Sequence, residues 1–242
     1  MIKLIEPGWS APATVRAVTT TRAGGFSLTP FDSLNLALHV GDNPDHVAQN
    51  RVLLQQVLDL PAEPCWINQT HGIHAVTLEQ GGSRDADAAI TRQPGTVAVV
   101  MTADCLPILV CNRDGTEVAA IHAGWRGLRA GVIQATLASM ASVNEQLLAW
   151  IGPGISQDNF EVGEEVRTAF VDSIARAEGF FHANRAGHWL CDLAGLAESV
   201  LLAQGVSEVC RDPGCTYRDA DRFFSYRRNT TTGRLASLIW IT

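Results

Sequence analysis

Three short polar turns carry residue types from which this chain could build a reactive centre. They are Asn68-Gln69-Thr70-His71-Gly72, Thr102-Ala103-Asp104-Cys105-Leu106-Pro107 and His122-Ala123-Gly124-Trp125-Arg126-Gly127. The third follows the apolar run Val118-Ala119-Ala120-Ile121 and precedes a stretch of helical periodicity. A packed core has no use for a histidine, a tryptophan and an arginine in a Gly-rich turn. A ligand site does, because such turns leave backbone N–H groups free. If the strands ending at Met101 and Ile121 are neighbours in one sheet, Cys105 and His122 emerge at the same edge. His71 then completes a set of two imidazoles and one thiolate. That set suits zinc, with three protein ligands leaving a fourth tetrahedral position open. The metal would keep Cys105 as thiolate and make bound water a better nucleophile. Asp104 and Gln69 could orient a ligand or that water.

Spacing alone leaves other readings open. His71 and Cys105 are 34 positions apart and Cys105 and His122 are 17 apart, which matches no common zinc motif. A Cys–His pair can also act as nucleophile and base without metal, as in amide hydrolases. Either histidine by itself could be an ordinary hydrogen-bonded side chain. The other five, His39, His46, His74, His182 and His188, are read as structural or solvent-facing. Three arginines sit in Gly- or aromatic-rich turns: Arg22 before Ala23-Gly24-Gly25-Phe26, Arg126 beside Trp125, and Arg227 after Phe223-Phe224-Ser225-Tyr226. Arginine forks take phosphate or carboxylate, and aromatic faces stack on planar rings. Together they point to an anionic or aromatic small molecule, although a surface ion pair explains any one of them as well.

The elements that must position these turns alternate along the chain. Asp42-Asn43-Pro44-Asp45 starts a helix that ends near Leu60-Pro61, with Val47, Leu54 and Leu58 on one face. A second helix is expected over 127–140, a third around Val166, Phe170 and Ile174, and a fourth from Asp192 to Gly205. Apolar runs at 97–101, 118–121, 147–151, 206–210 and 235–241 read as strands. They are continuous rather than alternating, so both faces should be covered. Residues 10–40 read as strands and Gly/Pro turns. The mixture is α/β or α+β with helices covering mixed sheet.

Bulk properties set the class. A chain of 242 residues, 46% hydrophobic, can bury a substantial core. The net charge is -7 and there is no long basic run, which argues against a nucleic-acid or anionic-membrane surface. No apolar run approaches the roughly 20 residues that span a bilayer. The first residues lack a signal peptide's apolar core, so a cytoplasmic location is expected. Six cysteines without a Cys-x-x-Cys pair do not form a disulfide framework or a zinc finger. Cys65, Cys111, Cys191 and Cys210 read as small buried hydrophobes, whereas Cys105 and Cys215 lie in more polar turns.

Taken in order, the motifs resemble the bacterial YfiH family, also called the laccase-domain or polyphenol-oxidase-like family. They are Thr20-Thr21-Arg22, Ser33-Leu34-Asn35-Leu36, Gln69-Thr70-His71-Gly72, Thr102-Ala103-Asp104-Cys105-Leu106-Pro107, His122-Ala123-Gly124-Trp125-Arg126-Gly127, Ile151-Gly152-Pro153-Gly154-Ile155, Phe160-Glu161-Val162-Gly163 and Phe224-Ser225-Tyr226-Arg227-Arg228. The resemblance spans 1–242 and implies an α+β fold, a single domain of mixed β-sheets layered with helices. It implies a zinc site at His71, Cys105 and His122, with copper an alternative at the same ligands. It implies phosphorolysis of adenosine, inosine and S-methyl-5'-thioadenosine, together with adenosine deamination. Purine nucleosides and phosphate are then the partners, with no nucleic acid or membrane and with room for a homodimer. Asp104, Cys105 and Arg126 become the candidate catalytic residues. Arg22, Asn35, Gln69 and Arg227 become candidate substrate contacts. A copper polyphenol oxidase and a Cys–His hydrolase of peptidoglycan precursors are the other activities linked to the family. Seven histidines without a His-x-His pair do not supply a multicopper cluster. Two positions depart from the family pattern: Gly154, where some relatives carry cysteine, and Phe223-Phe224, where tyrosine is common.

Overall fold

The computed structural model describes residues 2–242. Two mixed sheets face each other. One runs in the order β1 (Leu4–Ile5), β2 (Val15–Thr20), β14 (Leu235–Ile241), β6 (Ala98–Thr102) and β3 (Cys65–Trp66). The other runs β13 (Glu208–Arg211), β9 (Leu147–Ile151), β7 (Leu106–Asn112), β8 (Val118–Ala123), β5 (Ala88–Thr91) and β4 (Ala75–Thr77). A small third sheet joins β10 (Glu161–Gly163), β12 (His188–Cys191) and β11 (Phe181–Arg185).

Strand alternation divides the apolar side chains among three layers. Val15, Ala17, Ala98, Val100, Ile239 and Ile241 meet Leu109, Cys111, Val118, Ala120, Leu148 and Trp150 between the large sheets. Val18, Val99, Leu238 and Trp240 point the other way, against Leu54 of α1 (Pro44–Leu58). On the far face of the second sheet, Ile108, Val110, Ala119, Ile121 and Ala149 pack under three helices: α2 (Trp125–Ala130), α3 (Val132–Ser139) and α5 (Leu193–Ala203). The remaining helix, α4 (Glu164–Val171), adds Val166 and Phe170 to that core. A strand covered on both faces gains nothing from polar alternation, so its sequence runs apolar throughout.

Two helix caps match the sequence pattern. Asn43 accepts from the Asp45 N–H with Pro44 in the first turn, and Asp192 accepts from Gly195. Other expectations are corrected. The helix expected over 127–140 is two helices, because Gly131 adopts φ +102° and closes α2 as a left-handed cap. Between residues 10 and 40 only β2 is a strand, and the rest is loop and a short 3-10 turn. Strand β7 falls on what reads as a polar turn and its sequel. The strand after Cys105, rather than the one before it, lies beside β8. Strand β6 belongs to the opposite sheet. Among the described residues no helix is long and apolar enough to cross a membrane.

Candidate metal centre

The chain crosses from one sheet to the other between β6 and β7, and Cys105 sits in that crossing. Register then fixes its neighbour: Leu106 pairs with Ala123 and Pro107 with His122. Cys105 and His122 therefore emerge at the same end of the inter-sheet space. His71 arrives from the loop after β3, in a left-handed conformation with φ +60°. The ligand atoms of His71, Cys105 and His122 all lie within 4.8 Å of one another. The two imidazole rings stand edge to face, 4.8 Å between centroids.

One carboxylate organises both histidines. Asp87 is fully buried just before β5. Its Oδ1 takes the His122 Nδ1 at 2.8 Å and the His71 backbone N–H at 3.0 Å. Its Oδ2 accepts from the Gly72 N–H at 2.6 Å and from the Thr70 N–H and hydroxyl at 3.2 and 3.0 Å. The Asp87 carbonyl also accepts from the His122 N–H at 2.7 Å. Anchoring Nδ1 leaves His122 Nε2 as its ligating atom, the arrangement in which a second partner fixes ring and tautomer. Burial opposes the carboxylate charge, but the His122 ring and the Gly72 and Thr70 donors hold Asp87 down at about 2. Burial would lower His122, yet its bonds to Asp87 and Cys105 and their charges raise it to about 9. Burial would likewise push the Cys105 thiol up, and hydrogen bonds and charge from His122 and His71 bring it down to about 6.

The donor set fits a metal. It combines two imidazoles with a cysteine already biased to thiolate, and the backbone leaves room beside them. A Cβ on Gly124 would lie 2.9 Å from Cys105 Sγ and 3.2 Å from the His71 ring, so only glycine keeps that space clear. These residues open into a cavity of about 580 Å³. Its walls include Trp125, Phe160 and Tyr226, with Arg126, Arg227 and Arg234 among its charged groups.

The remaining candidates divide. Gln69 lines the cavity, but its amide is held by Met101: Nε2 donates to the Met101 carbonyl at 2.8 Å and Oε1 accepts from its N–H at 2.7 Å. Asp104, with φ +89°, also lines it. Both its oxygens are engaged, Oδ1 by the Thr216 hydroxyl and Oδ2 by the Arg227 N–H, each at 2.6 Å. Arg126 is exposed and stacks over Trp125 at 4.5 Å. Arg227 lies over Phe160 at 5.3 Å and donates from Nη1 to the Glu161 carbonyl.

Arg22 and Asn35 are not in this cavity. Arg22 lines a separate depression and spends its guanidinium on Asp32 and the Ala220 carbonyl. Asn35 is fully buried, bonded to Ala37, Asp42 and the Arg234 N–H. His39, read from sequence as structural or solvent-facing, lines the cavity. Sequence reasoning also missed Asp87 and Arg234. The available signals were an acid directly before the fully buried strand Ala88–Thr91 and an arginine directly after Gly233 at the head of the final strand.

Comparison with known proteins agrees over nearly the whole chain. A family model described as multi-copper polyphenol oxidoreductase laccase matches residues 16–242. A purine nucleoside phosphorylase YfiH of Escherichia coli (strain K12) is 50% identical over 243 residues, covering 100% of both chains. A purine nucleoside phosphorylase of Pseudomonas aeruginosa is 48% identical, covering 98% of each chain. The crystal structure of a Neisseria meningitidis protein superposes with a TM-score of 0.94 at 45% identity, again over 98% of each chain.

Proposed function

The chain belongs to the laccase-like YfiH family, and from that premise we propose that it is a zinc-dependent purine nucleoside phosphorylase. The observation that carries this reading is the His71, Cys105 and His122 set opening into a cavity that also holds aromatic faces and arginines. Adenosine, inosine and S-methyl-5'-thioadenosine are the proposed substrates, and adenosine deamination is proposed as a second activity of the same site.

In phosphorolysis an oxygen of HPO4²⁻ bonds to the sugar C1′ while the C1′–N9 bond breaks. The electron pair stays on the base, which takes the proton that phosphate gives up, and sugar 1-phosphate leaves. The sugar carries positive charge in passing, so the site must hold an anion against it and grip a planar base. Trp125, Phe160 and Tyr226 offer stacking faces for the base. A zinc ion held by His71, Cys105 and His122 would supply Lewis-acid charge and, for deamination, an activated water. Asp104 cannot readily carry the proton, because both its oxygens already accept strong hydrogen bonds; its role in this reading is to fix Arg227.

Zinc-loaded protein given inosine and phosphate is expected to release hypoxanthine, and His122→Ala is expected to release none. Equal release from both, or none from either, overturns the proposal. Adenosine converted to inosine without phosphate tests the deaminase part. Elemental analysis distinguishes zinc from one copper at the same ligands.

A further inference from the structure

Arg234 stands immediately before β14 and is held from both sides. Its backbone N–H donates to Asn35 Oδ1 at 3.0 Å. The preceding residue passes so close that a Cβ on Gly233 would lie 2.7 Å from the Phe224 ring and 2.9 Å from Asn35 Cβ. Its Nη1 donates to the carbonyls of Thr232 and Gly233 at 3.0 and 3.1 Å. These contacts orient the guanidinium and leave its other edge uncommitted. Among the described residues, Nε and Nη2 have no hydrogen-bond partner, and no carboxylate lies within ion-pair distance. Those two N–H groups point in parallel, the fork that grips two oxygens of one oxyanion.

The surroundings favour an anion there. The side chain is half-buried and lines the main cavity. Burial lowers its affinity for the proton, and Cys105, Asp104 and Tyr226 only partly offset that cost. Thr102 lines the same cavity, and its buried Oγ1 has no partner. The competing arginines are less suited. Arg22 is spent elsewhere, Arg227 gives one nitrogen to Glu161, and Arg126 is exposed over Trp125.

We propose that Arg234 is the seat of inorganic phosphate, its Nε and Nη2 taking two phosphate oxygens, with Asn35 and Gly233 positioning it. This rests on the phosphorylase reading for its role in turnover, whereas phosphate binding itself does not. The oxyanion matches the fork, and the aromatic walls remain for the base.

The test uses zinc-loaded protein and two measurements. In the first, inorganic phosphate is titrated by calorimetry without nucleoside into wild type, Arg234→Lys, Arg234→Gln and Arg126→Gln. Arg126→Gln, at the competing cavity arginine, is expected to bind phosphate more tightly than Arg234→Gln does. Arg234→Gln is expected to weaken binding about 10- to 100-fold, with Arg234→Lys in between because it keeps charge but loses the fork. In the second, initial rates are measured against phosphate and against inosine. Arg234→Gln is expected to raise KM for phosphate by a similar factor and leave KM for inosine within about twofold, a split that general loosening of the loop does not produce. Thermal melts identify any variant that fails to fold, and Arg234→Lys then carries the test. Unchanged phosphate binding in Arg234→Gln and Arg234→Lys overturns the seat, as does a loss found in Arg126→Gln instead. Arg234-dependent phosphate binding with no hypoxanthine released by wild type supports the seat and refutes the phosphorylase reading.

Discussion

Cys105 and Cys215 both lie in turns, and the surroundings of each favour thiolate. At Cys105 the donors are two imidazoles beside an open cavity. At Cys215 the sulfur is fully buried and accepts from the Ser156 hydroxyl and N–H at 3.0 and 3.4 Å, the Arg218 N–H at 3.4 Å and Asn159 Nδ2 at 3.5 Å. Burial would raise that thiol, and these donors lower it instead. A lowered thiol therefore does not by itself mark a site. What separates the two is the kind of donor and the space in front of the sulfur. Imidazoles can give up their protons and turn lone pairs toward a cation. Backbone and amide N–H groups cannot, and they close the Cys215 shell completely.

The largest difference is expected from removing the sulfur. Cys105→Ser, His71→Ala and His122→Ala should lose bound zinc and lower nucleoside turnover by about a thousandfold or more, the scale of several kcal/mol of charge stabilisation. Their circular dichroism should stay near wild type. Cys215→Ser should keep both metal and turnover, and a loss of zinc there would erase the distinction. Next is Asp87→Asn, which spares all three ligands but weakens their orientation. Zinc affinity measured by competition with a chelator should fall about 10- to 100-fold. Cys215→Ala leaves the Ser156 hydroxyl and the Ser156 and Arg218 N–H groups without the sulfur as acceptor. Denaturant melts should show about 1–3 kcal/mol of lost stability with kcat/KM unchanged.

The smallest effect is in pH. Asp87 sits at about 2, below the ordinary 3.8 of an aspartate. A depressed carboxylate contributes stability that is present above the unfolded value and lost as pH falls through the folded one. Metal-free wild type should therefore lose up to about 2 kcal/mol between pH 4 and pH 2. Asp87→Asn should show a flatter slope over that window, and parallel slopes would remove Asp87 from this role.

Much of this was legible in the residues, for reasons that also explain what was not. The three proposed ligands stood out because histidine, cysteine and glycine in polar turns have no core purpose. Helix caps at Asn43 and Asp192 are local chemistry, so a short window reveals them. Strand β7 was hidden because Asp104 and Pro107 signal a turn. Pro107 is nevertheless the second residue of β7, near the strand's start, and the seven residues of β7 are all buried. Asp87 was hidden because its partners lie 15 to 17 positions before it and 35 after it, so only tertiary structure brings them to one carboxylate. Arg22 shows the opposite case: its Gly-rich, aromatic setting resembles a binding turn, and tertiary structure sets it beside a separate depression with its guanidinium folded onto its own loop and the loop at Ala220. Local pattern thus identifies groups suited to chemistry, and only the assembled sheets show which of them face one another.

The crossing between β6 and β7 has a consequence for how the molecule matures. His122 stands on one large sheet, Cys105 on the strand-to-strand link, and His71 on a loop leaving the other sheet. No pair of hairpins formed early can bring all three together. The cluster is complete only once the loop carrying His71 has closed onto Asp87, whose carboxylate also holds His122. Without that closure the chain offers only the Cys105 and His122 pair set side by side by the β7–β8 register, and two donors hold a cation more weakly than three.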